Sequence, residues 1–262
     1  PSTRYPVAGD GDLYNLYTLY YSAGLGLEAD LIATDLEQVS FDKLVQVYCK
    51  SSAARAMDRL EADLAERTIK TGRISFDCEK EIPVDRLQAL LKEPGKVVMV
   101  YWVDKNQLAN ITVPAGARVY LSSSLIGDSI EPLPGPVSDS DEVYLAHPYR
   151  LPGKIDPAFR RLQAWAKVRD IKLKYPRLQS EAFFSSLLMS DMIKHLDGFY
   201  LRKYLLDLIG HSQGMDLYLP YYSRPTFGPG QIFVNKGGFI LPVVHGKLDT
   251  RESEWILPEY QQ

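Results

Sequence analysis

Three serines, Ser122, Ser123 and Ser124, close the apolar run "RVYLSSS" of residues 118–124, and four histidines, His147, His195, His211 and His245, are the bases that could activate them. A serine hydrolase on an α/β sheet holds its nucleophile on a sharp turn from strand to helix, which calls for Gly-x-Ser-x-Gly; no such sequence occurs. No two histidines have the spacing that puts a zinc-binding pair on one helix face, so they read as surface or packing residues. Carboxylates are plentiful but scattered over helix faces, and no acid/base pair is defined. The stretch "FGPGQIFVNKGGF" (227–239) raises phosphate binding. A phosphate cradle works because its glycine loop opens a helix whose free N–H groups face the anion. Here a strand-like run, "QIFVN", follows Gly230 instead, and Lys236 lacks the following Ser or Thr of a P-loop. Two strand-like runs joined by three residues containing glycine read as a hairpin, with Gly228 and Gly230 shaping its approach. No catalytic constellation and no cofactor motif emerges, so the expectation is a protein that is not an enzyme.

Binding asks for less than catalysis, and the elements say where a site belongs. "LVQVYC" (44–49), "RISFDC" (73–78), "KVVMVYW" (96–102), "RVYLSSS" (118–124) and "VYLAHPY" (143–149) read as short apolar strands. Ala53, Met57, Leu60 and Leu64 form one stripe of a helix over about 52–69, and Leu87, Leu90 and Leu91 mark a shorter one. Strand and helix alternating at this spacing predict a doubly wound parallel sheet. From 156 to 210 the chain reads as helical almost throughout, and "EAFFSSLLMSDMI" is apolar nearly all round, with too few strands nearby to enclose it.

In an open α/β sheet a ligand sits beyond the carboxyl ends of the strands. That places Ser51 and Ser52 after the first strand, as helix caps or as donors to a ligand carboxylate. Tyr101 and Trp102 end the central strand, as pocket wall or as core. Ser122, Ser123 and Ser124 end the next. For the tyrosine-rich run 14–21 an aromatic packing patch is the favoured reading.

Of 262 residues, 45% are hydrophobic and 24% charged, enough for one or two substantial cores, and the formal charge of −3 supplies no field for nucleic acid or an anionic membrane. No apolar run reaches the roughly 18 residues that would span a bilayer. The chain begins on Pro1, so a signal or a longer segment is expected upstream. Cys49 and Cys78, the only two cysteines, each end a strand at matching positions. Neighbouring strands lie ~4.8 Å apart, close to the Cα separation a disulfide tolerates. A bridge is therefore expected in an oxidising compartment, against the alternative of two small buried thiols.

"SEAFFSSLLMSDMIKHLDGFYLRKYLLDLIG" followed by "YLPYYSRPTFGPGQIFVNKGGFILPVV" resembles the closing part of type I periplasmic ligand-binding proteins, in particular the branched-chain amino-acid-like substrate-binding proteins of ABC importers. Upstream, "LVQVYCKSSAARAMDRLEADL", "KVVMVYWVDKNQLANI" and "ARVYLSSSLIG" resemble that family's second lobe in order, and "LYYSAGLGLEADLIATDL" its first crossing into that lobe. The resemblance implies a partial first lobe, 1–19 and 148–213, and a complete second lobe, 20–147 and 214–262, and it places Tyr20, Tyr21 and Ser22 at the first crossing and Tyr149 with Arg150 at the second, as hinge or cleft-rim positions. It also implies an extracytoplasmic, periplasmic protein that closes on a small organic solute and passes it to an ABC permease, without a cofactor. A sensory domain of the same fold is the second reading, and an unrecognised α/β enzyme the third. Most of the first lobe's sheet has no counterpart here, so a partner segment or a longer native form is expected to cover the helices of 156–210. Where amino-acid-binding members place an acid for the ligand's ammonium, Ser124 stands. With neutral donors at the strand ends and no evident anion, a neutral or anionic solute such as a carboxylate is expected ahead of a branched-chain amino acid.

Overall fold

The computed structural model describes residues 19–49, 53–92, 94–111, 113–127, 132–138, 142–151, 157–198, 200–211, 219–226, 233–251 and 253–258. The chain divides into two units, one made of Pro1–Ala23 and Tyr149–Lys236, the other of Gly24–Pro148 and Gly237–Gln262. The backbone passes between them at 23/24, 148/149 and 236/237.

The larger unit opens at Gly24, whose φ of 60° suits a residue without Cβ, and runs into α1 (Leu25–Leu36). There follow β2 (Lys43–Tyr48), α2 (Ala54–Asp63), β3 (Lys70–Ser75), α3 (Val84–Leu91), β4 (Val97–Trp102), β5 (Arg118–Ser122), the short α4 (Ser123–Ile126) and α5 (Gly135–Ser138), β6 (Val143–His147), β8 (Phe239–Val244) and β9 (Lys247–Leu248); β1 (Tyr20–Ser22) and β7 (Phe233–Asn235) belong to the other unit. The sheet has the order β3-β2-β4-β5-β6-β8-β9, with β2 to β6 parallel and β8 and β9 antiparallel at one side. Strands β2 and β4 are almost wholly buried, as continuous apolar runs covered on both faces must be. One core cluster joins α1 and α2 to the sheet through Ile32, Leu36, Leu44, Met57, Leu60, Val98, Val100 and Trp102. Inside it Gln46, wholly buried, accepts from the Trp102 indole at 2.9 Å and donates to Met57 O at 3.3 Å and Glu61 at 2.9 Å, so its amide is satisfied without water. Arg67 donates to the carbonyls of Leu36 and Val39 at 2.5 and 2.7 Å, which satisfies acceptors left over at the end of α1.

In the smaller unit β1 (Tyr20–Ser22) and β7 (Phe233–Asn235) pair in parallel, Tyr20 opposite Phe233 and Ser22 opposite Asn235. Three helices accompany them: α6 (Pro157–Val168), α7 (Pro176–Lys194) and α8 (Arg202–His211). α7 buries Ser180, Glu181, Phe184 and Leu188, while Met189 is 40% and Ile193 47% exposed. Leu201 and Tyr204 at the start of α8 are exposed as well. The shortage of strands is thus visible: among the described residues this unit has two three-residue strands, and apolar side chains of α7 and α8 face solvent.

Four expectations change. "QIFVN" and "FILPVV" do not form a hairpin: β7 pairs with β1 in one unit, and β8 pairs with β6 in the other. Three residues between two runs suit a hairpin and a crossing equally, and only the partners decide. The last crossing therefore falls at 236/237 instead of 213/214. Gly228 and Gly230 lie outside the described residues. Strand β3 ends at Ser75, opposite Tyr48, so Cys49 and Cys78 do not occupy matching rungs. The helix anticipated over 52–69 is limited to Ala54–Asp63. The helical reading of 156–210 matches α6, α7 and α8, with Asp170 and Asp197 at positive φ after the first two.

Candidate functional site

At the carboxyl ends of β5 and β6 the larger unit holds a buried polar network. Ser122 caps α4, its Oγ accepting from the Leu125 N–H at 3.2 Å, and the same hydroxyl donates to the Glu28 carboxylate. The Ser124 N–H donates to Glu28 Oε1 at 2.8 Å. Ser123 Oγ shares a hydrogen bond of 2.8 Å with His147 Nδ1. Glu28 and Ser123 have no exposure, and His147 is 5% exposed. A carboxyl group is held at such depth only with hydrogen-bond partners aimed at it, and Ser122 and Ser124 supply them. Glu28 belongs to the first turn of α1, just past the first crossing, and His147 is the second residue before the next, so the network ties the roots of two crossings to the tip of β5.

The smaller unit has a counterpart built on tyrosine. Glu181, 3% exposed on α7, accepts from the Tyr222 hydroxyl at 2.8 Å through Oε1, and its backbone carbonyl accepts from the Tyr21 hydroxyl at 2.8 Å. The Tyr21 and Tyr222 rings stack with centroids 6.2 Å apart, and Tyr149 tilts against Tyr222 at 5.7 Å. Arg177 lies over the Tyr149 ring at 4.4 Å, where a guanidinium is attracted by the π face. Burial first, and then the Glu181 charge, push the phenols of Tyr21 and Tyr222 far above their ordinary range, so both remain hydroxyl donors at any physiological pH. Around Ser180, Glu181 and Leu219–Tyr222 there is about 140 Å³ of space, part of it open solvent.

Of the anticipated residues, Tyr21 and Tyr149 come together around Tyr222. Ser22, 8% exposed, sits on β1, beside Asn235 of β7. Ser122, Ser123 and Ser124 are together too, but their donors serve Glu28 and His147. Tyr101 and Trp102 are core residues without exposure, on opposite faces of β4. A pocket wall was the other option for both; burial in the middle of a seven-stranded sheet removes it. Ser51 and Ser52 lie outside the described residues. Cys49 and Cys78 form a disulfide with Cα atoms 4.8 Å apart. Glu28, Glu181 and Tyr222 are absent from the sequence reading, and His147, read there as a surface or packing residue, is buried against Ser123. The signal existed for two of them: Glu28 in "LGLEADLIATDL" and Glu181 in "SEAFFSSLL" are acids within helices apolar on most sides, where an acid must be buried and paired. No group of side chains able to hold a metal ion occurs among the described residues, and none of their helices is long and apolar enough to cross a membrane.

No protein-family model matches the sequence, and no curated protein matches it. Solved structures do match the fold. A branched-chain amino acid ABC transporter protein of Thermus thermophilus with bound valine superposes with a TM-score of 0.68 at 12% identity, over 92% of this chain and 68% of that one. The substrate-binding protein LivJ of Streptococcus pneumoniae in complex with isoleucine gives 0.59 at 11%, over 90% and 66%. A fatty acid ABC transporter substrate-binding protein of Thermomonospora curvata gives 0.57 at 12%, over 96% and 66%. The chain spans about two thirds of the length of these proteins. Its mixed α/β architecture, with a sheet of mainly parallel strands and three passages between two units, is the fold of the type I periplasmic binding proteins.

Proposed function

We propose that this chain is part of an extracytoplasmic solute-binding protein, not an enzyme, that closes about its three crossings on a small organic solute and presents it to an ABC permease. The observation that carries the reading is the triple passage between two α/β units with buried polar networks at its roots, together with the likeness to ABC substrate-binding proteins. Binding energy would then shift an equilibrium between open and closed forms. The disulfide supports an oxidising, periplasmic setting.

The ligand reading moves away from a bare carboxylate. The Ser122 hydroxyl and the Ser124 N–H, two of the donors available at the strand ends, already serve Glu28, and Ser123 Oγ is engaged with His147 Nδ1. An amino-acid-like solute is the candidate we put first, in line with the valine and isoleucine bound in two structures of similar fold. Mass spectrometry of whatever co-purifies with periplasmically produced protein, followed by calorimetric titration, tests this. Leu, Ile or Val should bind at micromolar or tighter Kd and the corresponding deaminated acids should not; the opposite order would refute the ligand class, and no response to any small molecule would refute solute binding.

A further inference from the structure

The last crossing enters the larger unit through Gly237 and Gly238, and both are closely confined. A Cβ on Gly237 would lie 2.3 Å from Ile256 O and 2.5 Å from the Trp255 ring. A Cβ on Gly238 would lie 2.7 Å from His147 O, 2.7 Å from the Leu31 side chain and 2.8 Å from the Pro148 Cα. Real side chains do not tolerate such distances, so backbone runs against backbone here. The packing is also hydrogen-bonded: Gly238 N donates to Ile256 O at 3.0 Å and Ile256 N to Gly238 O at 2.8 Å, an isolated antiparallel bridge between residues far apart in the chain. Next to it, Phe239 pairs with His147, the last residue of β6.

We infer that Ser253–Ile256 is a strap that clamps the root of the last crossing against the root of the second, so that the pivot of this protein is confined to residues ahead of Gly237. The inference rests on the hinge reading above for its purpose, but not for its geometry. A crossing that was free on both sides could bend anywhere along Asn235–Ile240. With Ile256 on one side of Gly238, His147 and Pro148 on another, and the Trp255 ring on Gly237, residues 237 and 238 cannot change their backbone angles without breaking two hydrogen bonds and opening a tight contact. The second and last crossings then move as one body with the larger unit. The tail thereby helps set the balance between open and closed forms without touching a ligand.

Two altered chains test this, one ending at Thr250 and one carrying Ile256→Pro, which removes the N–H that donates to Gly238 O while keeping the rest of the chain. Amide hydrogen exchange and spin-label distances between Gln163→Cys and Gln88→Cys, both exposed and one in each unit, would be measured with no ligand present. In the unaltered chain the Gly238 amide should be protected. In both variants it should exchange at least tenfold faster, and the distance distribution should broaden while the amides of β4 and β5 keep their protection. Unchanged exchange at Gly238 and an unchanged distribution in Ile256→Pro would overturn the strap, and that variant remains informative should the shortened chain not fold. A distribution that widens on strap loss yet never responds to valine in the unaltered chain would keep the strap and remove the amino-acid reading instead.

Discussion

Breaking the Cys49–Cys78 disulfide should loosen one edge of the larger unit before anything else. The bridge spans a sequence separation of 29 residues, enclosing α2 and β3. A closed loop of that length costs the unfolded chain an entropy on the order of 12 cal/mol/K, equivalent to about 3.5 kcal/mol of native stability at 25 °C. The folded side points the same way. β3 is the outermost strand, paired only with β2, and of its six residues Ile74 alone is buried. An edge strand with so little apolar burial has few other ties: Arg73 reaches Glu61 at 2.7 Å and Asp58 at 2.7 Å, but exposed pairs contribute at most about 1 kcal/mol. The assay is urea unfolding of the oxidised protein against the Cys49→Ser, Cys78→Ser double variant, with hydrogen exchange on both. The variant should lose roughly 2 to 4 kcal/mol, and the β3 amides should lose protection while those of β4 and β5 retain theirs. A stability within about 0.5 kcal/mol of the oxidised protein, with β3 equally protected, would refute the argument that the bridge clips this edge.

Asp30, 5% exposed on α1, is pushed up to about 6 by burial, which outweighs the Arg59 guanidinium beside it; its neighbour Asp63 is raised as well. Because the native value exceeds the 3.8 of an unburied carboxyl, the native state holds the proton more tightly. Its contribution is thus full below about pH 4 and lost as pH rises through about 6, up to about 3 kcal/mol. Urea midpoints of the natural chain and Asp30→Asn at pH 4.5 and 7.5 should therefore converge or cross toward the variant's advantage at the higher pH; parallel pH dependences would sink the assignment. Glu28→Ala should cost roughly 2 to 4 kcal/mol by leaving the Ser122 hydroxyl and the Ser124 N–H without their acceptor, and Glu28→Gln clearly less. A Glu28→Ala protein as stable as the natural one by calorimetric melting would show that the network is not structural.

Much of the larger unit was readable because its strands are short, bounded and rich in Val, Ile and Tyr, and because parallel strands covered on both faces leave continuous apolar runs such as "KVVMVYW". β3 was the exception. It carries Lys70, Thr71, Gly72 and Arg73, so its apolar signal came only from "ISF", and the reading slid three residues toward Cys78. An edge strand needs less apolar surface than a central one, and periodicity weakens where burial does. The expected disulfide exists despite the wrong rung, because residues beyond Ser75 lead back toward β2: Phe76 N donates to Tyr48 O at 3.1 Å.

The candidate site was harder to read for a different reason. Sequence pattern gives the strand ends, and so it gave Ser122 to Ser124, but it does not give what lies across from them. Glu28 is 94 residues from Ser122, and Glu181 is 41 from Tyr222. Nothing local in the serines announces that they will be consumed by a buried carboxylate. The complementary clue was in the helices, where an acid amid apolar residues on every side has to be met by donors from somewhere else in the fold. Reading the helices for misplaced charge and the strand ends for unspent donors, and then pairing the two sets, would have linked Glu28 to the serines.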